Sequence, residues 1–206
     1  MRFLTSRQFG IFITVFSLVA VALMVGTGCK RFFGSQYEIA IPQRIGKPIM
    51  GQGSASNSQM AKLLGSGNDK LSYRKARQFA QIYIEECRAE GVNADVAFVQ
   101  MCLETNFLRF GGQVEADQNN FCGLGATDDG AAGAVFPTVR AGVRAHIQHL
   151  KAYASTKPTR YRVIDPRFKL VKRGSAPYIK HLAGTWATDP DYASKLKRLL
   201  ARLQKA

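Results

Sequence analysis

Residues 94–106 read ADVAFVQMCLETN, and this stretch decides the fold. Asn93 is a suitable N-cap for a helix here, and apolar side chains lie on nearly every side of that helix. A helix that is apolar all round has to run through a core, so other helices must surround it. Gln100 and Glu104 are its conspicuous polar residues, and their four-residue spacing puts them on one face. The pattern predicts a mainly α domain built around one central helix.

Helical patterns on both sides of this stretch predict the surrounding helices. Ser72 is an N-cap for a helix that reaches Glu90 and is closed by Gly91. Thr138 caps another helix that runs to about Ser155. Two further helices are expected, over Gln59–Leu64 before the breaker at 65–68, and from a cap at Asp189-Pro190-Asp191 with Pro190 at N1.

A glycine-rich stretch from Gly111 to Gly133 predicts the only sheet. Residues 122–127 and 134–138 are expected to form two short strands around Asp128-Asp129-Gly130, because an Asp-Gly step is typical of hairpins. The predicted fold class is therefore mainly α with a small β-hairpin lobe.

The first residues resemble an export signal rather than part of a domain. Arg2 and Arg7 precede an apolar run over residues 9–25, which is followed by Gly26-Thr27-Gly28-Cys29. Small residues directly before a cysteine resemble a lipobox, so Cys29 is the predicted site of lipid attachment; an uncleaved membrane anchor is the alternative. Both readings predict an exported, membrane-anchored protein of the bacterial cell envelope. The predicted divisions are 1–28 signal or anchor, 29–47 tether and 48–206 folded domain.

The net charge and the cysteine content restrict the classes of molecule that the protein can be expected to bind. The 206-residue chain carries a formal net charge of +15, which concentrates polyanions at its surface. Export makes nucleic acid the least suitable polyanion and favours the membrane and acidic wall polymers. No Cys/His spacing typical of a metal site occurs, so neither a metal nor a cofactor is predicted. His146 and His149 are expected to be packing or hydrogen-bonding residues, and the oligomeric state is left open.

Glu104 is the candidate catalytic residue on chemical grounds. Loss of solvation on an apolar helix raises the pKa of a carboxyl group, and the negative end of the helix dipole acts in the same direction. A carboxylic acid that keeps its proton near neutral pH is suited to general acid catalysis. The alternative is a structural carboxylate satisfied by Arg109, Arg140 or backbone donors.

Glycosidases normally pair such an acid with a second carboxylate. The candidates near the glycine-rich stretch are Glu115, Asp117, Asp128 and Asp129. Asp128 and Asp129 also fit ordinary turn chemistry, so residue type and position do not select one of the four as the partner of Glu104.

Several pieces of the sequence, in order, resemble one known family. They are ADVAFVQMCLETNFLRFGG, NNFCGLGA, AGVRAHIQHLKAYAS, DPRF, RGSAP and WATDPDYASKL. Together they span about Ser72 to Leu200 and are similar to the glucosaminidase domain family, glycoside hydrolase family 73, also described as mannosyl-glycoprotein endo-β-N-acetylglucosaminidase-like. The resemblance implies a lysozyme-like α-helical fold with a small β-lobe. It also implies hydrolysis of the bond between N-acetylglucosamine and N-acetylmuramic acid in peptidoglycan.

The resemblance also implies roles for individual residues. Glu104 matches the Glu of the family's LET motif and would be the general acid. Trp186 stands where many members have Tyr, so it would stack on sugars, and Tyr192 is the nearest residue to replace the missing hydroxyl, a low-ranked catalytic candidate. The expected substrate-binding residues are Gln100, Asn120, Phe121, Trp186 and Tyr192.

The second Glu that many members place in the β-lobe has no counterpart in this chain. Asp128 or Asp129 would activate water in an inverting reaction; alternatively, the 2-acetamido group of the substrate assists, which needs only one acid. We favour the second mechanism. The alternative functions are a lytic transglycosylase, a muramidase and a catalytically inactive wall-binding or scaffold protein.

Overall fold

The computed structural model describes residues 46–126 and 132–206, and its architecture is mainly α, as predicted. Within these residues the regular β-structure is limited to isolated bridges, such as that between Met50 and Val92. The α-helices are α1 Asn57–Gly67, α2 Tyr73–Glu90, α3 Ala94–Glu104, α4 Val139–Ala154 and α5 Tyr192–Lys205. Three 3-10 helices, Ala116–Gln118, Phe168–Leu170 and Ile179–His181, lie in the connections.

Helix α3 occupies the centre of the core. Residues 94–102 are all buried, and α3 packs against α1, α2, α4 and α5. The Phe98 ring meets the Tyr83 ring of α2 edge-on, with 5.5 Å between centroids. Apolar burial of this kind is worth about 1.5–3 kcal/mol for each large side chain. The prediction of one central helix enclosed by the others is therefore confirmed.

The caps of α2, α3 and α4 lie where the sequence predicts them. The Ser72 side chain accepts from the Lys75 backbone N–H, and Gly91 ends α2 in the left-handed conformation. Asn93 caps α3 and Thr138 caps α4, each through its side-chain oxygen. Polar side chains at these positions satisfy backbone donors that have no partner within the helix.

The first helix is longer than predicted. It begins after Ser56, which forms a capping box with Gln59, and continues through the expected breaker to Gly67. Gly67 lies directly against the Phe107 ring, where any side chain would collide. A tertiary contact therefore outweighs the low helix propensity of glycine at this position.

The last helix begins later than predicted, at Tyr192. The Asp189 carboxylate accepts from the Asp191 N–H at 2.8 Å, and the Tyr192 N–H donates to the Asp189 carbonyl. Asp189 and Pro190 thus belong to a turn before the helix. Short polar side chains bond to nearby backbone in this way and compete with helix formation.

The two expected hairpin strands do not form in the described flanks, residues 122–126 and 132–138. The backbone bond from Ala134 N–H to the Leu124 carbonyl, 2.7 Å, still joins the flanks. The Asn120 amide donates to the carbonyls of the same two residues at 2.9 and 3.1 Å. The buried Asn120 side chain therefore holds the two flanks together in place of strand-to-strand backbone hydrogen bonds. Asp128-Asp129-Gly130 lies outside the described residues.

The predicted signal or anchor, and the tether up to residue 45, also lie outside the described residues. Of the helices in residues 46–126 and 132–206, none has the length and hydropathy of a bilayer span. Ile49 is fully buried, its N–H donates to the Pro177 carbonyl, and its carbonyl accepts from the Asn93 N–H. The chain is therefore part of the folded core from this residue onward.

Gly142 of α4 allows the 119–126 loop to approach the helix closely. A Cβ at this position would overlap the Asn119 carbonyl oxygen and press on the Phe121 ring. We predict that Gly142→Ala lowers the free energy of unfolding by about 1–3 kcal/mol, although alanine is the better helix former. Chemical denaturation measures this change.

Gly65 of α1 is the matched control, because a Cβ there would meet no atom within 4 Å. Gly65→Ala should raise the free energy of unfolding by about 0.5–1 kcal/mol. Equal effects of the two substitutions would contradict the close approach of the loop to α4.

Candidate active site

Glu104 is the last residue of α3 and lies in a groove of about 290 Å³. The groove is formed by the end of α3 with residues 110–114, and by parts of the 120–126 loop. The central helix thus carries one carboxylate from the core to the wall of a surface recess.

A left-handed turn directly after α3 ends the helix at this point. Asn106, Phe107 and Leu108 all have positive φ, between 48° and 59°. Left-handed backbone costs about 1–2 kcal/mol for a residue with a side chain. The cost is offset by the Phe107 N–H bond to the Cys102 carbonyl, 2.8 Å, and by the bond from the Asn68 amide to the Phe107 carbonyl, 3.0 Å. The predicted helix end at residue 106 is therefore two residues too late.

Two donors hold one oxygen of the Glu104 carboxylate. Oε1 accepts a hydrogen bond from the Trp186 ring Nε1–H at 3.0 Å and another from the Tyr192 hydroxyl. Oε2 has no protein partner among the described residues. When the carboxyl group is protonated, the two donors at Oε1 leave Oε2 as the oxygen that carries the proton.

Opposing effects act on the pKa of Glu104. Burial of the carboxyl group raises its pKa, and the hydrogen bonds from Tyr192 and Trp186 partly oppose this. The residue as a whole is exposed, because the groove is open to water on one side while protein atoms crowd the carboxyl group on the other. The raised pKa predicted from the sequence is therefore confirmed, with burial as its principal cause.

Aromatic rings hold Trp186 in place. The His149 ring lies 5.1 Å from the indole and the Tyr153 ring 5.6 Å, between centroids. His149 is oriented by Asp165, whose carboxylate lies 2.8 Å from Nδ1, and the Tyr153 hydroxyl donates to the Thr185 carbonyl. Trp186 is half-buried, so its ring nitrogen reaches Glu104 from a fixed position and part of the indole is left accessible.

Gln100 does not line the groove, contrary to the sequence prediction. It is fully buried, its Nε2 donates to the Tyr192 hydroxyl oxygen at 2.9 Å, and its Oε1 lies 3.1 Å from His146 Nε2. His146 Nδ1 lies 2.9 Å from the Tyr83 hydroxyl. Gln100 shares a face with Glu104 as expected, but both ends of its amide are bonded inside the protein, to Tyr192 and His146.

Asn120 and Phe121 are both buried, although Asn120 forms part of the groove wall. Asn120 is buried, and its side chain bonds to backbone groups of its own loop and of Ala134. Phe121 is buried, with its ring against those of Phe79 and Phe110. Both residues shape the loop beside the groove, and of the five expected substrate-binding residues, only Trp186 retains substantial exposure.

The structure selects no partner for Glu104 among the described candidates for a second catalytic group. Asp128 and Asp129 lie outside the described residues, and Glu115 and Asp117 are exposed around the 3-10 helix Ala116–Gln118. No carboxylate of the described residues contributes to the raised pKa of Glu104. The structure therefore brings Glu104, Trp186 and Tyr192 together, and within residues 46–126 and 132–206 no second carboxyl group hydrogen-bonds to Glu104.

The cysteines and histidines offer no other centre in the described part of the chain. Cys87, Cys102 and Cys122 are free and buried, and burial raises the pKa of each thiol. No group of three or more His, Cys, Asp or Glu residues in residues 46–126 and 132–206 is placed to hold a metal ion.

Two residues connected to Glu104, His146 and Tyr83, could not be predicted from the sequence. They hydrogen-bond to each other although 63 residues separate them, so no local spacing links them.

Comparison with known proteins agrees with these motifs. The sequence profile of the family described as "Mannosyl-glycoprotein endo-beta-N-acetylglucosaminidase" matches residues 80–205, more than half of the chain. An uncharacterized protein of Borreliella burgdorferi is 43% identical over 155 residues, which cover 75% of this chain and 76% of that protein. A solved structure of S. aureus autolysin E, in complex with a muropeptide, is similar at 15% identity with a TM-score of 0.47, covering 77% of this chain and 71% of that one.

The raised pKa of Glu104 leads to a prediction about stability. A group with a raised folded-state pKa favours the folded state at low pH, and this contribution is lost as the pH rises from about 4.5 through the folded-state pKa. Glu104→Gln keeps an oxygen that accepts from Tyr192 and Trp186 and removes the charge. We predict that its melting temperature equals or exceeds that of the wild type at neutral pH, and that any advantage disappears in acid.

Thermal unfolding followed by circular dichroism at several pH values provides this measurement. Glu115→Gln, the same substitution at an exposed residue, controls for the change in net charge. A lower melting temperature of Glu104→Gln at neutral pH would contradict the assigned environment of the carboxyl group.

Proposed function

We propose that this chain, which belongs to the mannosyl-glycoprotein endo-β-N-acetylglucosaminidase family and is a glycoside hydrolase, cleaves peptidoglycan glycan strands at their β-1,4 bonds as an endo-β-N-acetylglucosaminidase. The single observation that carries the proposal is the state of Glu104. Its carboxyl group has a raised pKa, lies in a surface groove and is held at one oxygen by two donors.

This geometry suits a general acid. Protonated Glu104 donates its Oε2 proton to the glycosidic oxygen while the bond from that oxygen to the anomeric carbon breaks. The carboxylate left behind is stabilised by the hydrogen bonds from Trp186 and Tyr192 at Oε1. Burial favours the protonated form before the transfer, and the two donors stabilise the ionised form after it.

We favour substrate assistance for the other half of the reaction. The 2-acetamido oxygen of the sugar attacks its own anomeric carbon as the leaving group departs, which forms a cyclic intermediate. Water then opens this intermediate and transfers a proton to the Glu104 carboxylate, so the anomeric configuration is retained. This mechanism needs only one acid, and the sequence has no Glu between Asp117 and Thr138 to match the second Glu of the family. Inversion through Asp128 or Asp129 is the alternative.

Charge and aromatic surface support the choice of substrate. Peptidoglycan strands carry carboxylates on their lactyl groups and stem peptides, and a net charge of +15 favours their approach. The accessible part of the Trp186 indole, next to Glu104, offers an apolar ring face on which a sugar can stack.

We further propose that the protein acts in the bacterial cell envelope, exported and tethered to the membrane at its N-terminus. The basic residues, apolar run and small residues before Cys29 support this location. The tether, residues 29–47, would let the catalytic domain reach the wall from the membrane surface.

Digestion of purified peptidoglycan tests the function directly. We predict that the wild-type protein releases fragments with new reducing N-acetylglucosamine ends, identified by mass spectrometry. Glu104→Gln should lower the rate by at least about 100-fold, because general acid catalysis contributes roughly 10²–10⁴-fold. Asp69→Asn, the corresponding change from acid to amide at an exposed residue between α1 and α2, is the control and should retain activity.

The product ends separate the proposal from its alternatives. Reducing muramic acid would indicate a muramidase and anhydromuramic acid a lytic transglycosylase, and either result would overturn the assigned bond. Wall binding without any released fragment would indicate a scaffold protein. Retention of configuration in the first product supports substrate assistance. Inversion would indicate that Asp128 or Asp129 activates the attacking water.

Cys29 is tested in a bacterial host. We predict that the wild-type protein incorporates labelled palmitate and sediments with membranes, and that Cys29→Ala removes the label. Cys87→Ala, at a buried thiol of α2, should leave labelling intact. An unlabelled wild-type protein that still sediments with membranes would contradict lipid attachment and favour an uncleaved anchor.

A further inference from the structure

We propose that Gln100, His146 and Tyr83 form a buried hydrogen-bond chain that fixes the Tyr192 hydroxyl as a donor to Glu104. The inference rests on the proposed function, since Glu104 is the general acid on which the chain ends. The three residues would be positioning residues, because they act on the acid through Tyr192 and are too deeply buried to touch substrate.

The contacts run without a break from the core to the groove. Tyr83 meets His146 Nδ1 at 2.9 Å, and His146 Nε2 meets Gln100 Oε1 at 3.1 Å. Gln100 Nε2 meets the Tyr192 hydroxyl at 2.9 Å, and that hydroxyl meets Glu104 Oε1. One residue each comes from α2, α4 and α5, and two come from α3. The chain therefore joins four helices around the candidate acid.

Only one set of proton positions gives every atom of the chain a partner when Glu104 is ionised. A carboxylate accepts only, so the single Tyr192 hydroxyl proton has to point to Glu104. The Tyr192 oxygen then has to accept, which places the Gln100 NH₂ group opposite it. The Gln100 oxygen is left facing His146 Nε2, which has to carry a proton.

The proton positions of His146 and Tyr83, at the far end of the hydrogen-bond chain, follow from those of Gln100. In a neutral imidazole, a proton on Nε2 leaves Nδ1 as an acceptor, so the Tyr83 hydroxyl donates to it. Every donor thus points in one direction, from Tyr83 towards Glu104. Hydrogen bonds aligned in this way polarise one another, which makes the last hydroxyl a stronger donor than it would be alone.

The surroundings of His146 keep its ring neutral, as this direction requires. Burial lowers the pKa of His146 to about 3, and the nearby His149 acts in the same direction. Besides its two hydrogen-bond partners, the ring faces Trp186, with 5.9 Å between centroids. A protonated ring would present a second N–H to the Tyr83 hydroxyl and break the alignment.

Burial of so many polar groups calls for an explanation beyond packing. Polar groups in a core are costly unless every one of them is bonded, and well-packed apolar residues would avoid the risk. In the described residues, no buried side-chain nitrogen or oxygen lacks a partner. The network ends on Glu104, the carboxylate that lines the groove among the described residues, and this supports a role in setting the geometry of its carboxyl group.

Gln100→Met tests the chain, because methionine is similar in volume and cannot form either hydrogen bond. Without the bond from Gln100, Tyr192 donates more weakly to Glu104, the carboxylate is less stabilised, and the pKa of Glu104 rises. We therefore expect the fall in activity at high pH to move to higher pH. We also expect kcat to fall by roughly 3- to 10-fold, with KM unchanged because no substrate contact is lost.

Gln148→Met is the matched control. Gln148 is also fully buried, and its amide bonds to the backbone at Arg162, Ile164 and Asp165. It makes no hydrogen bond to Tyr83, His146, Gln100 or Tyr192. Both substitutions remove a buried amide, so denaturation should show comparable losses of stability. Only Gln100→Met should move the pH profile; an equal shift in Gln148→Met would indicate a merely structural effect and overturn the inference.

A double-mutant cycle tests whether Gln100 acts through Tyr192. In a Tyr192→Phe background the hydroxyl is absent, so the further change Gln100→Met should leave the pH profile where Tyr192→Phe alone puts it. An additional shift of full size would overturn the inference.

A carboxyl titration separates this inference from the proposed function. Carbon-13 NMR of labelled glutamate, with the Glu104 signal assigned by its loss in Glu104→Gln, measures the pKa without any substrate. A raised pKa in Gln100→Met supports the chain even if the wild type cleaves no peptidoglycan. An unchanged pKa in a folded, active enzyme overturns the chain and leaves the function intact.

Discussion

Helix α3 is enclosed by four other helices, and its last residue nevertheless has to reach the surface as a carboxylate. Most of the fold follows from this constraint. The left-handed turn from Asn106 to Leu108 ends the helix at Glu104, so the chain leaves the core just where the groove begins. The hydrogen bonds that hold this turn come from α3 itself and from Asn68 at the end of α1. The strained backbone is therefore supported by the elements that enclose α3.

The same constraint determines the chemistry of Glu104. Burial of the carboxyl group against protein atoms raises its pKa, while hydrogen bonds from Tyr192 and Trp186 favour its ionised form. A group balanced in this way can both release and recover a proton, which general acid catalysis in a hydrolase requires.

Trp186 illustrates how a departure from a family pattern can be accommodated. Many members resembling this chain have Tyr at this position, and a Trp there has no hydroxyl. The indole Nε1–H donates to Glu104 instead, and the hydroxyl that reaches the same oxygen belongs to Tyr192 of α5. Two donors therefore remain on the acid, one from the loop before α5 and one from the helix.

The helical pattern, the caps of α2, α3 and α4 and the raised pKa of the Glu104 carboxyl group follow from the sequence alone. These are properties of periodicity and of short-range hydrogen bonds, which adjacent residues decide among themselves: Ser72, Asn93 and Thr138 cap the helices that follow them. Only the tertiary structure decided that Gln100, Asn120 and Phe121 point inward, and that Tyr83 and His146 connect to Glu104. A polar residue on a helix face has no fixed partner until other helices dock against it. Whether its side chain meets water or another buried group therefore depends on contacts between residues far apart in the chain, and local spacing carries no information about them.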